Sequence, residues 1–405
     1  MNKRGFHKWL LLLALLLFAA VPATAVVNVQ CPGDTNGDAV INGSGDPAHP
    51  NAQCMHLAAG DGFVTMADGY PQYMFGFADI TGTPPKKALD VGTLAATFPA
   101  PPITLDEGDE FFLSLTNVGM LMRPDLFDPH TVHWHGFPEA ASVFDGVPDS
   151  SISINMGSTL TYYYNVVEPG TYMYHCHVEA TEHMQMGMLG NLYVRPAQDG
   201  TTLEYPAGSG KTYNKFAYND GDGSTGYDVD FPIQIGSFDS AFHDASLTVQ
   251  PLPFAMMRDN YPMLNGRGYP DTVQVAGPDA PPEANPVSGN STQPESSLVT
   301  AAPGQRVLLR ISNLNVTRFY TLQTLGVSMQ VVGKDASIHR GPDGKDLYYM
   351  TNSVVLGGGE SLDAIIEIPE SATAGTTYFL YTSNLNYLSN NEEDFGGMMT
   401  EIRVN

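Results

Sequence analysis

The sequence predicts an all-β protein of two β-sandwich domains. Three observations carry that prediction. Short segments rich in Tyr, Phe, Val and Thr recur from about residue 73, punctuated by Gly, Pro, Asn and Asp, the pattern of sandwich strands joined by turns. No long stretch shows helical periodicity. The strand texture breaks at the polar, Gly-rich residues 198–228 and then resumes to the C-terminus.

In chain order, residues 1–25 read as a secretory signal. Lys3, Arg4 and Lys8 precede the short apolar run WLLLLALLLFAA, and ATA closes it; the run is too short to span a bilayer comfortably. The mature protein is therefore expected to be secreted or periplasmic, with no membrane attachment. The formal net charge of −25 becomes −28 once three basic residues are removed, a surface that repels nucleic acid and anionic lipid. Residues 26–72 look irregular. Cys31 and Cys54 invite a disulfide in an exported chain. Asp34, Asn36 and Asp38 have the one-three-five spacing of a calcium loop, but Ala39 stands where such a loop wants Gly and Asp46 comes one residue late. A solvated turn is the equal reading.

The first sandwich is placed at 73–197, from YMFGFADI through EFFLSLTNV, TLTYYYNVV and GTYMYHCHV. Residues 198–228 are read as the connection. The second sandwich is placed at 229–405, from FPIQIGSF to MTEIRVN, with PPEANPVSGNSTQPESS as a long internal loop.

The chemistry lies in HTVHWHG (130–136) and YHCHVEATEHMQMGM (174–188). Side chains alternate faces along a strand. His175 and His177 thus share a face and Cys176 takes the other; His133 and His135 share a face, and in a regular strand His130 lies opposite. Two sites back to back follow. One gathers His130 and Cys176, with His183 and Met188 downstream; two imidazoles, a thiolate and a distant thioether suit a blue, type 1 copper site. The other gathers the neutral imidazoles of His133, His135, His175 and His177. Zinc is the rival for a His/Cys cluster, but structural zinc takes several cysteines. Met184 and Met186 read as packing residues.

At these residues the sequence resembles the multicopper oxidase family. HWHG, DGVP and PGTYMYHCH occur in family order, and MLNGRGYPD and LGGGESLDAIIEIP resemble its copper-free middle domain. The resemblance implies cupredoxin-like Greek-key sandwiches and a laccase-like copper oxidoreductase. It implies His130, Cys176, His183 and Met188 as type 1 ligands, His133 as a type 2 ligand, and His135, His175 and His177 as ligands of a type 3 pair. Asp145 matches the acid that orients water and relays protons; a turn aspartate before Gly146 is its other reading. Dioxygen is the implied acceptor, and a phenol, metal ion or redox protein the reductant. The family cluster uses eight histidines, whereas after residue 200 this chain has only His243 and His339. A homo-oligomer in which first domains face each other would supply the missing four. An electron-carrying blue copper protein and a copper nitrite reductase are the rival readings.

Overall fold

The computed structural model describes residues 27–248, 251–274 and 292–405. The signal segment and most of the long loop fall outside these residues. The chain is all-β, built as two packed sandwiches. Among the described residues, no helix is long and apolar enough to cross a membrane.

In the first sandwich one sheet has the order β2-β1-β4-β6, with β1 Ala52–Thr65, β2 Pro71–Asp79, β4 Glu110–Gly119 and β6 Thr159–Asn165. The facing sheet has the order β3-β8-β7-β5, with β3 Ala100–Asp106, β5 His133–His135, β7 Gly170–His175 and β8 Leu189–Arg195. Each sheet contains one parallel pair, β1 with β4 and β3 with β8, so the chain crosses between sheets. Their inner faces meet over a core that includes Phe75, Leu113, Trp134, Tyr162, Tyr164, Cys176 and Met188. Trp134 stacks on Tyr164 at 3.8 Å between ring centroids. That contact pins the middle of HWH inward, so the flanking histidines face outward.

The second sandwich repeats the mixed pattern. One sheet runs Tyr261–Leu264, Val229–Phe238, Arg306–Asn313, Glu360–Glu367 and Met329–Lys334, with the short Ser337–Ile338 at its edge. The other runs Val299–Ala301, Met399–Val404, Thr377–Tyr381, Tyr320–Leu325 and Ser353–Leu356.

Two expected boundaries move. Part of the stretch read as an irregular extension is β1, an interior strand hydrogen-bonded on both edges. Much of it is buried on both faces, so it lacks the polar alternation that marks a half-exposed strand. A disulfide joins Cys31 to Cys54 across Cα atoms 5.9 Å apart and ties the preceding loop to this strand. The stretch read as a connection is also packed: Ala217, Tyr218 and Tyr227 form a cluster with Leu308, Val332 and Ile365 of the second sandwich. Its Gly and Asp residues encode turns. Asp220 accepts N–H bonds from Gly223 and Thr225.

The sandwiches share a third core. Val64, Met74, Phe98, Met173 and Leu189 of the first meet Phe238, Tyr261, Met263 and Leu314 of the second. Polar contacts frame it. Asp363 accepts a 2.6 Å hydrogen bond from Thr171, and Ser361 donates to the Thr171 carbonyl at 2.6 Å. His243 sets one ring nitrogen 2.6 Å from the Tyr73 carbonyl and the other 2.8 Å from that of Gln185. This histidine is a strut between elements.

Candidate metal centre

The two histidine strands are neighbours. In the antiparallel pairing of β5 with β7, His133 lies opposite His175 and Trp134 opposite Tyr174. The regular strand covers only His133–His135. His130 sits upstream of it in a separate bridge to Ile154, and its ring is buried on the core side.

On the core side, His130, Cys176 and His183 gather within 4.8 Å, all buried. The Cys176 Sγ lies 3.8 Å from His130 Nδ1 and 3.2 Å from His183 Nδ1. Both imidazoles thus turn the same nitrogen to the sulfur, while the Nε2 atoms of both find no hydrogen-bond partner. His183 rides on the short helix Ala180–Gln185. Two backbone bonds close the loop behind it: Met188 N–H to the His183 carbonyl at 2.9 Å, and Cys176 N–H to the Met188 carbonyl at 3.1 Å. Met188 and Met186 are both fully buried in the core that holds Cys176. Burial, with His183 nearby, holds His130 well below the usual imidazole range. Burial acts on His183 in the same sense, but negative charge at Cys176 and at Asp128, whose Oδ2 is 3.9 Å from Nε2, outweighs it and pushes the group up to about 10. Two imidazoles aimed at one buried sulfur form a donor set for a soft, one-electron metal ion; the residues fit copper.

On the outer side, His133, His135 and His175 bring ligand atoms within 4.8 Å of one another. The His177 ring centroid is 5.2 Å from that of His133. Backbone carbonyls fix the rings. His133 Nδ1 is 2.6 Å from the Asp145 carbonyl, and His175 Nδ1 is 2.9 Å from that of Cys176. An N–H donated at Nδ1 leaves Nε2 as the free lone pair, the usual arrangement of a metal-binding imidazole. His135 Nδ1 lies 3.4 Å from His175 Nε2. Burial lowers the pKa of His133 and His135 and takes His175 down to about 3, so burial favours the neutral, ligating form of these three. The Asp145 carboxylate is also near, 3.5 Å from His133 Nδ1. Gly146 makes this approach feasible: its φ is +77°, and a Cβ there would stand 2.1 Å from the Val132 carbonyl oxygen.

The four histidines open into a cavity of about 570 Å3 whose far wall is the chain's own second sandwich: Leu314 to Phe319, Gly358 and Gly359. None of those wall residues is a histidine. Sequence reasoning did not find them, nor Asp128 beside His183, because each reaches its site from a separate part of the fold; Glu182, next to His183 on the same helix, lay inside the motif without being singled out. The candidate calcium residues bond within their own loop. Asp34 accepts N–H bonds from Asn36, Gly37 and Ala39, and Asn36 donates its side-chain amide to Asp38 at 2.6 Å.

Several known proteins resemble this chain. Laccase-2 of Botryotinia fuckeliana is 24% identical over 305 residues, 74% of this chain and 44% of that protein. Laccase 1 of Metarhizium acridum is 32% identical over 124 residues, covering 30% and 19% of the two chains. Multicopper oxidase MmcO of Mycobacterium tuberculosis is 36% identical over 105 residues, 24% and 19%. The alignments thus span about a fifth of the length of the last two relatives. In fold, the chain is similar to the blue copper oxidase of Nitrosomonas europaea, with a TM-score of 0.60, 20% identity and coverage of 87% and 86%. The copper nitrite reductase of Nitrosomonas europaea gives a TM-score of 0.54 at 15% identity, covering 87% and 94%. Residues 79–199 and 249–402 each match a sequence profile described as multicopper oxidase; with one such match in each half, the chain belongs to the multicopper oxidase family, whose cofactor is copper.

Proposed function

We propose that this protein is an exported, laccase-like copper-dependent oxidoreductase that takes electrons one at a time from a reductant and passes them to dioxygen. Copper, when bound, supplies the one-electron chemistry. Cys176, His130, His183 and Met188 hold the type 1 ion. His133 serves a type 2 ion, and His135, His175 and His177 serve a type 3 pair. The observation that carries this reading is the adjacency of His175, Cys176 and His177: the buried thiol is bonded through its own backbone to two imidazoles of the outer group. That gives a covalent path between an electron-entry site and an electron-exit site.

Reductant docking is supported by a second cavity, of about 780 Å3, lined by Leu126, Asp128, Glu179, Glu182 and Phe254 next to His183. Its carboxyls and apolar rim suit a small molecule or a metal ion. Asp145 holds His133 through its carbonyl and is positioned to hand protons toward the outer group. Four histidines are half a family cluster, and the cavity wall offers no more. His133, His135 and His177 keep a partly exposed side, which supports completion by a second copy of the chain in a homo-oligomer. The basic, then apolar, residues 1–25 support export to the periplasm or the exterior.

The test is copper per chain, absorption and electron paramagnetic resonance on purified protein, with oxygen uptake. A blue thiolate band with more than one copper per chain and oxygen consumption is expected. A monomer with one copper and no oxygen uptake would replace this reading with an electron carrier.

A further inference from the structure

Asp259 is a buried carboxyl that lies between the two halves of the site. It comes from the second sandwich and is 9% exposed. Its Oδ1 accepts from the side-chain amide of Gln185 at 3.4 Å, the last residue of the helix that carries His183. Its Oδ2 meets two hydroxyls, those of Ser237 and Thr317, the latter at 2.5 Å. Thr317 and Asn315 line the histidine cavity.

Counting protons assigns the state of this carboxyl. The Leu356 carbonyl takes the amide N–H of Asn313 at 2.8 Å, so the Asn313 Oδ1 is an acceptor. Asn315 donates its amide to that oxygen and to the Ile235 carbonyl, which leaves the Asn315 Oδ1 as an acceptor too. Ser237 Oγ is 2.7 Å from it and supplies its only hydrogen there. Toward Asp259, Ser237 can then only accept. The short contact between them therefore requires the proton on Asp259. The charged groups acting on Asp259 are Arg318, which favours ionisation, and Asp239, which opposes it. Burial is the largest influence and raises the pKa, while the hydrogen bond donated by Thr317 pulls the other way.

We propose that Asp259 is kept as a neutral carboxylic acid and positions a proton path through the Thr317 hydroxyl into the histidine cavity, feeding the reduction of dioxygen. This rests on the oxidase reading above. Oxygen reduction takes four electrons and four protons per O2 and yields two waters; the reductant gives the electrons in four one-electron oxidations, and solvent gives the protons. In each relay event the Asp259 proton swings from Ser237 to Thr317 Oγ1 as the Thr317 proton leaves into the cavity. Solvent then reprotonates the carboxylate.

The experiment has a copper-free arm and a copper-loaded arm. In metal-free protein, infrared spectra at neutral pH should show a protonated-carboxyl band that Asp259→Asn lacks and Thr317→Val keeps. In copper-loaded protein, both variants should slow reoxidation of the reduced blue centre by oxygen about tenfold or more, the low end of a positioned proton donor's contribution. Anaerobic bleaching by reductant should be unchanged, and Thr317→Ser should restore the rate. An acid that must be protonated makes the wild-type rate fall as pH rises through its pKa, and Asp259→Asn should lose that alkaline limb. No difference in the carboxyl band, or wild-type reoxidation in Thr317→Val, overturns the relay alone. A wild-type protein that consumes no oxygen overturns the oxidase reading and the relay with it.

Discussion

Gly359 of the second sandwich is the sharpest test of the outer histidine group, because it brings no side chain to the histidines, only room. Its φ is +89°, and a Cβ built there stands 2.8 Å from His135 Nε2 and 3.0 Å from its Cε1. Ordinary contact begins at 3.4 Å, so Gly359→Ala must move the ring about 0.6 Å or shift the loop. Retreat is blocked, because His135 Nδ1 already lies 3.4 Å from His175 Nε2. Metal sites hold ligand distances to within about 0.2 Å, so the displacement is roughly three times the tolerance. A loss of about 10- to 100-fold in copper affinity is expected for this group, comparable to losing a supporting contact. The left-handed backbone adds about 1–2 kcal/mol of strain for an L-residue, or roughly 2–8 °C in melting temperature for a domain of this size. The assay is chelator competition on the copper-loaded variant, with absorption in parallel and melting of the metal-free form. The blue band should persist, since Cys176 lies on the other face. Wild-type copper affinity and stoichiometry in Gly359→Ala would refute the placement of His135 as a ligand.

Cys176→Ser should abolish the blue band while circular dichroism and the melting of metal-free protein stay close to wild type; a variant that remains blue rules out the thiolate. His177→Ala should keep the band and lose oxygen uptake, and undiminished uptake would remove that histidine from the outer group. Met188→Leu should raise the reduction potential of the blue centre, because losing a weak axial thioether favours the reduced ion; an unchanged potential in redox titration would point to Met186. Burial lowers the His56 pKa to about 4. The unfolded chain therefore takes up the proton first on acidification, and stability falls between pH 6.5 and 4, by up to about 3 kcal/mol. Urea midpoints of metal-free His56→Leu should lose that part of the acid slope, and an unaltered slope would place it elsewhere.

The ligand chemistry could be read from sequence because it is local. HWH puts its ligands on alternating positions of one strand, HCH sits at the end of the next, and the register of β5 on β7 sets His133 opposite His175. His130 lies outside the regular strand His133–His135 and gathers with Cys176 and His183. What escaped was long-range. Asp128, Asn315, Thr317 and Gly359 carry no motif and acquire their neighbours only when distant segments dock. The strand Ala52–Thr65 escaped for a different reason. AQCMHLAAGDGFVT has no clean alternation, and Gly60, Asp61 and Gly62 imitate a turn, yet Asp61 is fully buried. It accepts N–H bonds from Leu121 and Met122 and a hydroxyl bond from Tyr73, so the residue that looks like a loop marker is a cross-link.

The core shared by Met74, Phe98, Met173 and Leu189 with Phe238, Tyr261 and Met263 limits how this protein can be re-engineered. A gene cut after residue 197 would yield a first sandwich with every proposed copper ligand and a bare oily flank, prone to self-association. Grafting that half onto another carrier requires repacking the flank. The sandwich without proposed ligands is in that sense the solubilising half of the molecule, and libraries that shuffle the two halves should treat their shared seam as a single block.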